Sequence, residues 1–264
     1  MRRMGNRSER PRTLDEQPAE VRKLCSALLD GLRSVCGGDL FALYLYGAMT
    51  FRESEVVQDI DFHVILRGPP SPGGVSEIRR LHEALAAEYP GLGEELDGYY
   101  ILLEDARRPE PPKHQVIPDL RDASWALHRA HMLAGYCIVM HGPEPREVLP
   151  APTWRELDQG LQRERDYVER HLERYPDYCV LNLCRIMKSY AERDVVVSKR
   201  SAAHWARERY PAWAALPRAA LRSYAKKASA EQRRLLRSRI ADFHHFACEK
   251  ITESRRRRDG ESSS

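Results

Sequence analysis

No stretch of the 264 residues stays apolar for the about eighteen positions a membrane-spanning helix needs, so no span is expected. The first twelve residues are arginine-rich but lack an apolar segment, so they do not read as a secretory signal, and a cytoplasmic protein is expected. No C-x-x-C pair occurs. Cys25, Cys36, Cys137, Cys179, Cys184 and Cys248 lie singly in apolar or helical stretches and read as reduced thiols of a core. The body of the chain also lacks positive charge. Net charge is +4, but residues 1–12 hold five Arg against one Glu, and residues 255–264 hold four Arg against Asp259 and Glu261. That leaves 13–254 slightly acidic. A nucleic-acid binder carries its positive charge on a folded face, so no nucleic-acid partner is expected. The segments 1–13 and 254–264 read as disordered tails.

What is present is globular: 42% hydrophobic and 31% charged residues. Apolar positions spaced by three and four predict a helix over 14–36, stopped by Gly37-Gly38. Short apolar runs at 40–46, 60–66 and 96–103 read as strands, with a helix over 75–89 between the last two. Residues 120–135 read as helix and 136–140 as β. Prolines 143, 145, 150 and 152 then punctuate a linker. Helices are expected over 153–174, 177–193, 199–209, 216–227 and 230–253. The fold class is therefore an α/β domain with a mixed sheet, 14–150, followed by an all-helical bundle, 151–253.

The segment Leu43 to Val64 carries chemistry. An apolar strand ends in Gly47-Ala48, and eleven residues after Ala48 stands Asp59, then Ile60, then Asp61. Residues two apart on a strand share a face, so Asp59 and Asp61 aim together while Ile60 packs inward. Adjacent carboxylates repel unless a cation lies between them. Mg²⁺ suits such hard oxygen ligands and tolerates one or two carboxylates completed by phosphate oxygens. Gly47 lets a phosphate approach backbone N–H groups. For a third acid, Asp97 begins the run Leu96 to Leu103, with Glu94, Glu95, Glu104 and Asp105 as rivals that spacing does not eliminate. In the helical half, Arg185 stands mid-helix among apolar residues and needs a partner, either a structural acid or a bound anion. Lys199 follows Ser198, a helix N-cap; a lysine there opposes the helix dipole, and a bound phosphate would offset it. Trp125, Trp154 and Trp205 read as core.

The strand–Gly–connector–D-x-D arrangement resembles the G-[S/A]-x₇₋₁₂-D-x-D signature of the polymerase-β-like nucleotidyltransferase superfamily. The segments Val180-Leu181-Asn182-Leu183-Cys184-Arg185-Ile186 and Val197-Ser198-Lys199-Arg200-Ser201-Ala202-Ala203-His204-Trp205-Ala206 resemble the helical domain of aminoglycoside 3″-adenylyltransferases of the streptomycin/spectinomycin type. The likeness covers roughly residues 40–250. It implies that Gly47 and Ala48 lie against the triphosphate of ATP and that Asp59 and Asp61 hold Mg²⁺. It implies further that Asp97 is the catalytic carboxylate, that Arg185 and Lys199 reach the phosphates, and that Tyr224 contacts the nucleotide. The implied reaction is Mg²⁺-dependent transfer of AMP from ATP to a hydroxyl of a small molecule, an aminoglycoside, by a monomer that releases pyrophosphate. Three positions depart from the family pattern: Ala48 for Ser, Gln58 for Ser, and Asp97 for Glu. Tyr175-Pro176-Asp177-Tyr178 lacks the family's drug-selecting tryptophan. The alternatives are another acceptor (antibiotic, metabolite or protein) and a nucleotide-binding sensor without turnover.

Overall fold

The computed structural model describes residues 10–53 and 57–261, with side chains up to residue 256. The tail segments 1–9 and 262–264 lie outside the described residues. The chain divides into two compact units that meet at Thr153 and Trp154 in sequence.

The first unit is built on helix α1 (Ala19–Cys36), strands β1 (Leu40–Tyr46) and β2 (Ile60–Leu66), helix α2 (Pro72–Glu88) and strand β3 (Leu96–Leu102). It continues with the single turn α3 (Leu103–Ala106), helix α4 (Trp125–Leu133), strand β4 (Ile138–His141) and the short helix α5 (Pro145–Val148). The sheet order is β3-β2-β1-β4. β2 and β3 run parallel, while β1 pairs antiparallel with β2 and with β4. The parallel pair needs a crossover, and α2 supplies it.

Side chains alternate across the sheet. Leu43, Leu45, Ile60, Phe62, Val64 and Tyr100 bury one face against Leu24, Leu28 and Leu32 of α1 and Ile78 and Leu85 of α2. The other face begins as an apolar cluster of Ala42, Tyr44, Ile65, Ile101, Trp125 and Met132 and turns polar toward the C-terminal end of β1. Gly98 is required by packing: a Cβ there would sit 2.0 Å from the Phe62 ring.

The second unit is all helix: α6 (Trp154–His171), α7 (Pro176–Glu192), α8 (Lys199–Arg209), α9 (Ala215–Tyr224) and α10 (Ala230–Glu261). α7 packs against α6, α8, α9 and α10, which explains why it is apolar nearly all round and buries ten of its residues.

Several boundaries differ from expectation. α1 starts at Ala19 because Pro18 fixes the entry; Leu14 is outside the helix yet packs on the core. The expected linker contains α5, closed by a capping box between Glu144 and Glu147. The expected C-terminal tail from 254 is helical to Glu261. Residues 10–13, assigned to a tail, are held: the Arg12 amide donates to the Thr50 carbonyl at 2.9 Å and its guanidinium to the Arg52 carbonyl at 2.8 Å. All six cysteines are free thiols, and among the described residues no helix is long and apolar enough to cross a membrane.

Candidate active site

Strand register assembles the acids. Tyr46 of β1 pairs with Asp61 of β2, and Asp61 pairs with Asp97 of β3. These three form one transverse row on the polar face; the next row is Tyr44, His63 and Tyr99. Ile60 and Phe62 are fully buried on the opposite face, so period-two alternation separates the acids from the core. Asp59 lies one residue before β2 rather than within it, yet its charge bears on Asp97.

Gly47 belongs to the same site. Its φ is +73°, and a Cβ built on it would lie 1.7 Å from Oδ2 of Asp61. The residue must therefore lack a side chain for two reasons, the left-handed backbone and the carboxylate pressed against it. The turn it opens, Gly47–Thr50, has every carbonyl committed. Gly47 accepts from Thr50 Oγ1 (2.8 Å), Ala48 from the Phe51 amide (3.2 Å), Met49 from Gln17 Nε2 (2.9 Å) and Thr50 from the Arg12 amide (2.9 Å).

The rivals for the third acid separate by position. Glu104 and Asp105 belong to α3, past the far end of β3 from Asp97, which at ~3.3 Å per residue is about 20 Å away. Glu94 and Glu95 are exposed in the 3₁₀ turn Gly93–Glu95 that leads into β3. Asp97 is open to solvent on one side. Even so, displaced water, and next the negative charge of Asp59, raise its carboxyl above the ordinary range, against the opposing pull of His128. The same charges surround the Tyr46 hydroxyl: burial first, then Asp61, Asp122 and Asp97, hold it well above its usual value.

Sequence reasoning missed a second constellation beneath the acids. His63 Nε2 and His128 Nδ1 each lie 2.9 Å from the same oxygen, Oδ2 of Asp122, while Oδ1 accepts from the Ser124 amide at 3.1 Å. His63 and Asp122 are fully buried. Burial lowers the His63 pKa; burial opposes ionisation of Asp122, but His128 and His63 outweigh it and hold the carboxyl well below its usual range. The available signal was the alternation D-x-D-x-H, which puts His63 on the face of Asp61.

In the helical unit Arg185, Lys199 and Tyr224 gather around Tyr178. Lys199 Nζ donates to Tyr224 Oη at 2.7 Å and lies 4.4 Å from the Tyr224 ring centroid and 4.9 Å from that of Tyr178. Ser198 caps the helix as expected, its Oγ accepting from the Ser201 amide at 3.0 Å. Arg185 donates to Asn182 Oδ1 at 3.3 Å, and Asn182 donates to Tyr178 Oη and to Glu164. Arg185 is thereby linked through Asn182 to Glu164. Trp125 is core, at 1% exposure; Trp154 and Trp205 are half-buried, edge-on to Tyr190 and Tyr210.

The mixed sheet bears this acid row and is followed in sequence by a helical unit. Residues 150–250 match the family model described as aminoglycoside adenylyltransferase, C-terminal domain. That match covers the helical unit and no part of the acid row. The fold of the chain is similar to that in the crystal structure of spectinomycin adenyltransferase AAD(9) from Enterococcus faecialis with ATP and spectinomycin. The TM-score is 0.69 at 13% identity, over 87% of this chain and 98% of that one. No curated protein matches in sequence.

Proposed function

We propose that this protein transfers AMP from ATP to a hydroxyl of an aminoglycoside of the streptomycin or spectinomycin type, with Mg²⁺, and releases pyrophosphate. The observation that carries the reading is the row of Asp61 and Asp97 beside the Gly47 turn, with Asp59 at its edge. The match of residues 150–250 and the ATP and spectinomycin of the structural neighbour support the nucleotide and the acceptor class.

The residues fit Mg²⁺. Asp59 and Asp61 offer hard carboxylate oxygens, and Gly47 leaves the space in which Asp61 Oδ2 sits. Bound there, the ion would neutralise charge on the phosphate oxygens. The remaining work belongs to the chain. The Gly47–Thr50 turn, its carbonyls committed, presents amide edges to phosphate. Asp97 takes the proton of the attacking hydroxyl. The hydroxyl oxygen bonds to the α-phosphorus as the bond to the β-phosphate oxygen breaks. Arg185 and Lys199 offset charge on the phosphates, and Tyr224 orients Lys199. The exposed Glu94 and Glu95 favour a cationic acceptor.

The test is pyrophosphate release from ATP and Mg²⁺ across an aminoglycoside panel, with mass spectrometry of the drug and Asp59→Asn as control. Release with streptomycin or spectinomycin, lost in the variant, is the expected result. Magnesium-dependent ATP binding with no release for any drug would remove the aminoglycoside assignment.

A further inference from the structure

The His63–Asp122–His128 cluster brings two imidazoles and a carboxylate to one point. Three separate segments supply it: β2, the loop before α4, and α4 itself. The donor atoms Nε2, Oδ2 and Nδ1 all lie within 4.8 Å of one another. Both imidazoles converge on one carboxylate oxygen rather than one on each. The present separations of 2.9 Å are hydrogen-bond distances; a tetrahedral ion with bonds of about 2.05 Å would open them to about 3.3 Å, a shift of under half an ångström. The second oxygen of Asp122 is fixed by the Ser124 amide, the type of outer hydrogen bond that orients a metal-ligating carboxylate. Rings of Tyr46, Tyr99 and Trp125 lie 5.1 to 5.5 Å from the His63 ring and wall the cluster. His63 Nδ1 is buried without a partner, so as a hydrogen-bond network the cluster is incomplete. Apolar side chains would fill this part of the sheet face at lower cost.

We propose that His63, Asp122 and His128 form a binding site for a transition-metal dication of the Zn²⁺ class, separate in chemistry from the carboxylate row. Two imidazole nitrogens and one carboxylate oxygen prefer Zn²⁺ or Co²⁺, whereas Asp59, Asp61 and Asp97 offer only the hard oxygens that suit Mg²⁺. The ion ties the loop and α4 to β2 behind the acid row. His128, with 24% of its side chain exposed, is the open side through which the ion enters and where water completes the coordination. Nothing in this assignment depends on the acceptor or the nucleotide of the proposed reaction.

The experiment uses the untagged full chain, stripped with chelator and titrated with Co²⁺, whose visible absorption reports nitrogen and oxygen coordination. One equivalent is expected to bind, to be displaced by Zn²⁺ and to persist in excess Mg²⁺. Binding should survive in the Asp59→Asn/Asp61→Asn double variant. It should weaken by ~100-fold or more in His128→Gln, where one of three ligands is gone. Asp122→Asn should do the same if it folds; the partly exposed His128 keeps the test independent of folding. Absence of stoichiometric Co²⁺ binding would overturn the proposal, as would binding lost with the aspartates and kept in His128→Gln.

Discussion

Gly47 and Asp61 occupy a space in which only one of them can have a side chain: a Cβ on Gly47 would lie 1.7 Å from Asp61 Oδ2. Gly47→Ala therefore combines a strained backbone at φ +73° with displacement of the carboxylate. A destabilisation of about 1–2 kcal/mol is expected from the backbone and the forced shift. The kinetic loss should be larger, ~100-fold in kcat, because a displacement of about 1 Å is enough for that. Thermal unfolding together with kcat measures the two separately; a drop in Tm with unchanged kcat would remove Asp61 from the chemistry.

Asp97 works against stability where it stands. Displaced water and Asp59 raise its folded-state pKa, so the folded protein favours the protonated form. The sign follows: stability declines as pH rises from the unfolded value of ~4 through the higher folded value. Asp97→Asn is expected to raise Tm slightly at neutral pH while abolishing turnover. In the metal-free wild type, the Asp97 carboxyl followed by NMR should titrate above the usual carboxylate value. A midpoint at or below ~4 without metal would mean that water and neighbouring cations, rather than Asp59, set its charge.

Much of this site was legible because strand period two is a strong rule. The limits of β1 and β2, the inward Ile60 and Asp61 on the opposite face follow from spacing alone, whereas Asp59 lies one residue before β2, where alternation does not fix its direction. Spacing left Asp97 unresolved among four rivals, because only strand pairing puts it beside Asp61. His63, Asp122 and His128 were not legible as a group. They come from segments as much as 65 positions apart, and neither the approach of α4 to the sheet nor the shared carboxylate oxygen leaves a periodic trace. The role of residues 10–13 was hidden by composition: an arginine-rich start reads as a solvated tail, yet the Arg12 amide holds the Thr50 carbonyl of the turn that Gly47 opens.

That anchor depends on Glu16. It accepts from the Thr13 amide at 2.9 Å and pairs with Arg52 at 2.6 Å and Arg10 at 3.0 Å. The Thr13 amide, then Arg52, hold its carboxyl down at about 2. A depressed carboxylate contributes fully above its unfolded value of ~4.3 and loses that contribution as pH falls toward about 2. Glu16→Gln is expected to speed amide exchange at Arg12 and Gln17 at neutral pH, and acidifying the wild type to pH ~3 should begin to do the same. Exchange unchanged by either would mean that Arg12 and Gln17 hold the segment without the ion pairs.

Lys199 and Tyr224 divide a single contact into two separable parts, a 2.7 Å hydrogen bond to the hydroxyl and a cation 4.4 Å from the ring centroid. Tyr224→Phe deletes the first and keeps the second. It should cost ~10-fold in kcat/KM for ATP, the low end of the scale of one hydrogen bond to a charged group. Lys199→Met deletes the charge and should cost ~100-fold or more, as loss of a group that stabilises developing negative charge does. If the loss falls on kcat, the ammonium acts on the leaving pyrophosphate. If it falls on KM with kcat intact, the ammonium binds ground-state ATP equally well and contributes nothing further in the transition state. Equal losses in the two variants would mean that the tyrosine hydroxyl itself bonds the nucleotide, and the role of Tyr224 would change from orienting Lys199 to direct contact.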